Sequence, residues 1–324
     1  VTGTVRSNPG DDRLLVRAAY LYYRLDLTQA QVADRLGLSR VKVGRLLASA
    51  LERRIVTIDI RHPLTRLAEM EVDLEKRFGL RDVVVASSAA LAGEDDLQLL
   101  AVAQAGADYL TSLELRHTAV ALGWGTTMRA VSAALDDGWA DDVDVFQLNG
   151  AIPMSNYATG AGEIMNRFAE RGHGRAHLLQ VPGIVDRTEV RHALETERSV
   201  SRVLAGARAA PFAAFSLGNL TADSVLVSSG YLDSESLGAL QASGAVGDII
   251  SRFIGADGAL SDTCLDERTM GVELATLRAQ GGRERVIGIA AGTAKAPIAR
   301  AAMAGGYIDT LIVDDSLALA LLAG

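Results

Sequence analysis

The chain has 324 residues, 49% of them apolar, with 40 acidic residues against 32 basic ones and a formal net charge of −8. That length exceeds one typical domain, and the apolar content suffices for a sizeable core. No apolar run reaches membrane-spanning length, the opening VTGTVRSNPGDDR lacks the apolar stretch of a secretory signal, and a single cysteine, Cys264, excludes an internal disulfide framework.

The net acidity is unevenly placed. Residues 1–62 carry 11 Lys and Arg against 6 Asp and Glu, a balance of +5, and the rest of the chain carries 21 against 34, a balance of −13. The first part is therefore able to meet a polyanion, since repulsion from distant acids is screened beyond roughly 8 Å. Residues 1–10 are small and polar and are expected to be disordered. DRLLVRAAYLYYRL (12–25) reads as an amphipathic helix with Leu14, Leu15, Ala18, Tyr22 and Leu25 on its packing side.

LTQAQVADRLGLSRVKVGRLL (27–47) follows. Thr28 suits a helix N-cap, and Val32, Ala33 and Leu36 share one helical face. Gly37 stands where a sharp turn needs positive φ, Leu38 plugs the turn, and Ser39 caps a second helix that turns Val43, Leu46 and Leu47 inward. Small Ala33 lets two helices cross closely, and the Ala–Gly–Val spacing is that of a helix-turn-helix. The residues expected to face duplex DNA are Thr28, Gln29, Ser39, Arg40, Lys42 and Arg45, with Arg40 and Lys42 the foremost candidates for base contact. A two-helix hairpin with a solvated basic face is the plainer alternative. IVTIDI (55–60) alternates like a strand and reads as a wing edge, and Pro63 marks the end of the module. LTRLAEMEVDLEKRF (64–78) reads as a connecting helix whose apolar stripe Glu71 interrupts, so it is expected to dock on the second domain rather than form a coiled coil. The expected divisions are 1–62, a linker helix at 63–79, and 80–324.

From residue 80 short apolar runs alternate with helical segments: DVVVA (82–86), TAVALG (118–123), VDVFQLNG (143–150), AHLLQV (176–181), FAAFSLG (212–218), RVIGIAAG (285–292) and DTLIVDD (309–315). Continuous apolar strands between helices predict an α/β domain with a mainly parallel, Rossmann-like sheet covered on both faces. Such sheets bind ligands at the carboxyl ends of their strands, where several of these runs meet glycine. GWGTTMRAVSAAL (123–135) is the sharpest candidate. Gly123 and Gly125 permit close backbone approach, and the hydroxyls of Thr126 and Thr127 with the free N–H groups of a helix start suit a phosphate. It is neither a Walker loop nor G-x-G-x-x-G, and a tight turn without ligand would use the same glycines. In AGTAKAPIARAAMAGGYIDTLIVDD (291–315), Lys295 opens a helix after another glycine, and it is one of only three lysines, with Lys42 and Lys76. Two further loops, QLNGAIP (147–153) and GAVGDII (244–250), offer Asn149 and Asp248 to ligand hydroxyls, and a turn-capping role fits Asp248 equally. Arg129 is read as an exposed residue one turn on, and Cys264 as a small filler.

Taken together these pieces resemble the SorC family of sugar-responsive bacterial transcription regulators. The likeness spans nearly the whole chain and rests on the order of LTQAQVADRLGLSRVKVGRLL, RRIVTIDI, GWGTT, QLNGA, GAVGDI and AGTAKAPIARAAMAGGYIDTLIVDDSLALALL. The resemblance implies a second domain similar to glucosamine-6-phosphate deaminases and ribose-5-phosphate isomerases, a sugar phosphate effector, and assembly into homodimers or homotetramers. It assigns the phosphate to Gly125, Thr126 and Thr127, with Lys295 as cationic partner, and turns Asn149 and Asp248 to the sugar. Two departures stand out: the final strand reads IVDD (312–315) where many relatives have threonine-aspartate-glutamate, which weakens Asp314 as a ligand, and AIPMSNYATG (151–160) offers no base to a second phosphate.

The resulting expectation is a cytoplasmic, operator-binding regulator of sugar or polyol metabolism controlled by a phosphorylated sugar, without catalytic residues, metal or cofactor. Three alternatives stand beside it: a regulator that answers to an unphosphorylated sugar or polyol, a phosphosugar isomerase or deaminase with an attached DNA module, and a ligand-free oligomerisation domain. The enzyme would need a base on the bound sugar, and His62, His117, His173, His177 and His192 all lie outside the glycine loops, which leaves Asp248 and Asp314.

Overall fold

The computed structural model describes residues 9–57, 65–88, 95–151, 160–221, 224–228, 232–278 and 282–324. The chain divides into two compact units, one reaching Thr65 and the other beginning at Arg66.

The first unit holds α1 (Pro9–Tyr23), α2 (Gln29–Leu36) and α3 (Arg40–Glu52). Thr28 and Gln31 cap α2 reciprocally: the Gln31 N–H donates to Thr28 Oγ1 at 3.3 Å and the Thr28 N–H donates to Gln31 Oε1 at 2.8 Å. Gly37 ends α2 in the left-handed region at φ 66°, which sends the chain sharply into α3. Ser39 Oγ then accepts from the Lys42 N–H at 3.3 Å. Leu15, Ala18, Val32, Ala33, Val43 and Leu47 form the core of this unit. Leu25, expected to pack, is instead 47% exposed, and Leu21 is buried in that core, because α1 ends at Tyr23 before the helical phase reaches Leu25. The expected wing does not begin at Ile55. The N–H groups of Ile55 and Val56 both turn back to the Ala50 carbonyl at the end of α3, and residues 58–60 and Pro63 lie outside the described residues.

In the second unit α4 (Thr65–Phe78) is followed by β1 (Asp82–Ala86), α5 (Asp95–Ser112), β2 (Arg116–Leu122), α6 (Thr126–Ala134), β3 (Asp141–Gln147), α7 (Ala161–Arg171) and β4 (Arg175–His177). Then come α8 (Thr188–Thr196), α9 (Arg198–Ala209), β5 (Phe212–Asn219), α10 (Val225–Ser228), α11 (Ser234–Ala242), β6 (Ala245–Ile249), β7 (Arg252–Gly255) and α12 (Thr263–Asp266). The unit closes with β8 (Arg285–Ala290), α13 (Ala296–Ala304), β9 (Thr310–Asp314) and α14 (Asp315–Ala323).

Seven strands form a parallel sheet in the order β1-β9-β8-β5-β2-β3-β4. Alternate strand residues enter opposite cores: Val286, Leu311 and Val313 on one face, Ile287 and Ile312 on the other. Helices α4, α9, α13 and α14 cover the first face, and α5, α6, α7 and α11 cover the second. Both faces are buried, so the strands read as unbroken apolar runs. The segment 244–250, expected as a loop, is instead strand β6. It pairs antiparallel with the end of β5, Leu217–Asn219 against Gly247–Ile249, and then with β7. The run 176–181 forms a strand only as far as His177.

Helix α4 packs as part of this unit through Met70 and Leu74. Glu71, which breaks its apolar stripe, accepts from the Val85 N–H at 2.9 Å, and Glu75 accepts from the Val83 N–H at 3.3 Å. Among the described residues strand β1 is the edge of the sheet and pairs only with β9, so the two carboxylates satisfy backbone donors that no described strand takes.

Candidate functional site

Two groups of predicted residues are exposed or convergent. In the first unit Thr28, Ser39, Arg40, Lys42 and Arg45 are exposed and Gln29 is half-buried. The oxygens of Thr28 and Ser39 already cap helices, Thr28 at the start of α2 and Ser39 at the start of α3. Lys42 and Arg45 turn away from buried Val43 and Leu47, and Arg40 is exposed as the first residue of α3. Val41, which the sequence reading passed over, stands among them at 67% exposure.

In the second unit the structure brings all seven predicted effector residues to one cavity of about 830 Å³ at the carboxyl ends of β2, β5 and β8. Gly123, Gly125, Thr126, Thr127, Asn149, Asp248 and Lys295 all line it. The start of α6 has Gly125 as N-cap with no side chain capping it, so the first N–H groups of the helix are left to a ligand or water. Thr127 is buried there and Thr126 exposed. A second glycine start lies across the cavity, where Gly292 precedes a short 3-10 turn, Thr293–Lys295, that again has no side-chain cap.

Lys295 Nζ donates to Asn219 Oδ1 at 3.0 Å, which steers the ammonium along the end of β5. Asp248 accepts from the Ser251 N–H at 2.9 Å. Burial pushes its carboxyl above the ordinary aspartate range, against the opposing pull of that N–H and of the Lys295 charge. Gly218 makes this arrangement possible, since a Cβ at that position would stand 1.8 Å from Asp248 Oδ1. Asn149 is only 2% exposed. Its Nδ2 donates to Ser251 Oγ at 3.0 Å, while its Oδ1 has no hydrogen-bond partner among the described residues. The position of Asn149 is fixed through its backbone, which bridges to Gly271, and the loop carrying Gly271 is held by buried Arg252 through the carbonyls of Gly271 at 3.2 Å and Val272 at 2.9 Å.

The cavity thus has a donor side, made of helix N–H groups, threonine hydroxyls and an ammonium, and an acceptor side, made of Asp248, with Asn149 in the same lining and its oxygen buried. Asp314 belongs to neither side. It is fully buried, and its carboxylate caps α14 through Leu317 N at 3.1 Å and holds the Gly292 N–H at 2.6 Å, so its weak standing as a ligand becomes a structural role. Arg129 is exposed and pairs with Glu163 at 3.4 Å. Cys264 is exposed rather than filling space. His117, His173 and His177 pair with Asp142, Asp137 and Asp144 on the surface, and none of them lines the cavity. His62 and most of 151–160 lie outside the described residues. No helix among the described residues is long and apolar enough to cross a membrane.

Residues 62–323 match the Sugar-bind family, described as "Putative sugar-binding domain". The full-length sorbitol operon regulator SorC from Klebsiella pneumoniae, a crystal structure, superposes with a TM-score of 0.72 at 31% identity, covering 97% of this chain and 100% of that one. The chain belongs to the SorC family of sugar-binding transcriptional regulators. Other SorC relatives extend over similar lengths. The deoxyribonucleoside regulator of Bacillus subtilis (strain 168) is 33% identical over 312 residues, 95% of this chain and 97% of that protein. The erythritol catabolism regulatory protein EryD of Brucella abortus (strain 2308) is 30% identical over 315 residues, 96% and 97% of the two chains.

Beyond the residues read from the sequence, this SorC-family cavity is also lined by Gln98, Ser216, Asn219, Ser251 and Thr293. Asn219, at the end of β5, is the partner of Lys295, and Ser251, the partner of Asn149, is brought there by the antiparallel β6–β7 hairpin. Polar residues at the end of an apolar strand were the one available signal for Ser216 and Asn219.

Proposed function

We propose that the chain is an operator-binding regulator whose cavity takes a phosphorylated sugar or polyol. One observation carries the reading: an uncapped helix start with two threonines and a lysine lines one cavity with a carboxylate and with an amide whose buried oxygen has no partner among the described residues. The donor side fits a phosphate, and the acceptor side fits hydroxyl groups. The names of the relatives point to deoxyribonucleosides, erythritol and sorbitol, all of which carry hydroxyl groups. The first unit reads double-stranded DNA through α3, with Arg40, Lys42 and Arg45 as its cations. Assembly into a dimer or tetramer brings several such heads to one operator, and ligand shifts binding only as far as it prefers one arrangement of the heads. Of the two carboxylates that could serve an isomerase or deaminase as base, Asp314 is taken up in capping α14, and Asp248 lines the cavity.

A second reading, an unphosphorylated polyol, is favoured by one observation: Lys295 is held by Asn219 and lies close enough to Asp248 to oppose the rise that burial gives its carboxyl, so its charge is partly answered within the protein. Thermal unfolding against sugars, polyols and their phosphate esters separates the two. A ligand at a hundredfold excess over its Kd stabilises by about 2.7 kcal/mol. A phosphate ester that raises the melting temperature where its parent polyol does not, with inorganic phosphate competing and Thr127→Val abolishing the shift, is the expected result. Stabilisation by the free polyol alone would transfer the assignment to the second reading.

A further inference from the structure

Val41 is the second residue of α3 and the most exposed large apolar side chain among the described residues, at 67%. Helical phase puts it there. Val43 and Leu47 are buried against α1 and α2, and a step of two residues back from Val43 turns Val41 to the opposite side of the helix. Arg45, one turn on, shares that outward side, and Arg40 and Lys42 stand exposed on either side of Val41. Gly44 presents no side chain beside Arg45, where a Cβ would find only Gln29 Oε1 at 3.7 Å, so the approach to Val41 and Arg45 is open.

This residue gives the fold little. A β-branched side chain is a poorer helix former than the straight-chain residues around it, and at this exposure it buries little surface. Its ring of cations draws a polyanion, which an apolar protein partner is not. In the major groove of duplex DNA the base edges present donors, acceptors and a single apolar group, the C5-methyl of thymine. We propose that Val41 packs on a thymine methyl group and makes α3 select for thymine at one position of each half-site, while the flanking cations hold phosphates and guanine. The proposal rests on the reading of the first unit as a DNA reader. It adds an apolar element to a recognition helix otherwise described by its charges.

The test uses the full chain and a random-sequence duplex library, with selection run both without added ligand and with whichever sugar or sugar phosphate raises its melting temperature. Selected duplexes are then remade with deoxyuridine in place of thymidine at one position at a time, which removes only the methyl group. At one position per half-site the loss of the methyl is expected to weaken wild-type binding about fourfold, the worth of one buried methyl group. Val41→Ser is expected to bind the thymidine and deoxyuridine duplexes alike, to keep the salt dependence of the wild type, and to melt at the same temperature. Wild-type binding indifferent to every methyl, or a Val41→Ser protein that keeps the preference, overturns the proposal and leaves the DNA reader standing. Failure to enrich any duplex under either condition overturns the reader itself, and the role of Val41 with it.

Discussion

Asp248 and Asn149 line the same cavity, and each is held there at a cost. Leaving a buried oxygen such as Asn149 Oδ1 without a donor costs about 1–3 kcal/mol unless water or ligand supplies one. Asp248 pays in ionisation: burial raises its carboxyl above the ordinary range, so the folded protein holds a proton that the unfolded chain has already released. Stability therefore falls as pH rises from about 4, the ordinary aspartate value, through the raised value in the folded state, because in that window the native state binds more protons than the unfolded one. Asp248→Asn keeps an oxygen for the Ser251 N–H and removes the charge. Denaturant titrations across that window are expected to show a shallower fall for Asp248→Asn than for the wild type, and a more stable variant above it. Parallel pH profiles for the two proteins would mean that another group dominates the titration.

At the scale of elements, α4 and β1 show how a side chain that looks out of place is explained by its neighbour. Glu71→Ala removes the acceptor for the Val85 N–H on the sheet edge and is expected to cost about 1–3 kcal/mol in urea unfolding, while Glu71→Gln, which still offers an oxygen, loses less. Equal losses in the two variants would reduce Glu71 to a packing role. The same pair of elements marks where the sequence was legible. The parallel strands could be read because both faces of the sheet are buried, and α2 and α3 because Thr28, Gly37 and Ser39 act through local caps. Glu71 read as an interruption because its partner belongs to a strand that no helical periodicity reports. The β6–β7 hairpin read as a loop for a related reason. Its turn is Ile250–Ser251, with φ of 48° and 69°, instead of the Asn-Gly that announces such turns. That hairpin carries Ser251 to Asn149, so the acceptor side of the cavity was legible in its two end residues but not in the one that joins them.

At the scale of the whole molecule the question is how a chain of net charge −8 binds a polyanion at all. The answer lies in partition: α3 presents Arg40, Lys42 and Arg45 outward from a unit that is basic on balance, and acids elsewhere act only through a screened field. On the proposed reading, binding to duplex DNA is governed by the phosphates that α3 neutralises, each of which contributes a slope of about −0.9 to log K against log salt. Lys42→Ala is expected to flatten that slope by about 0.9 for every head engaged, uniformly across duplex sequences. Glu235→Gln, which removes one exposed charge from the second unit, changes net charge by the same amount in the opposite sense and is expected to leave the slope unaltered. Fluorescence anisotropy between 50 and 200 mM salt, roughly the range over which phosphate contacts are usually resolved, reads both variants. If Glu235→Gln shifts the slope as far as Lys42→Ala does, the binding answers to total charge, and the basic face of α3 is not where the DNA is held.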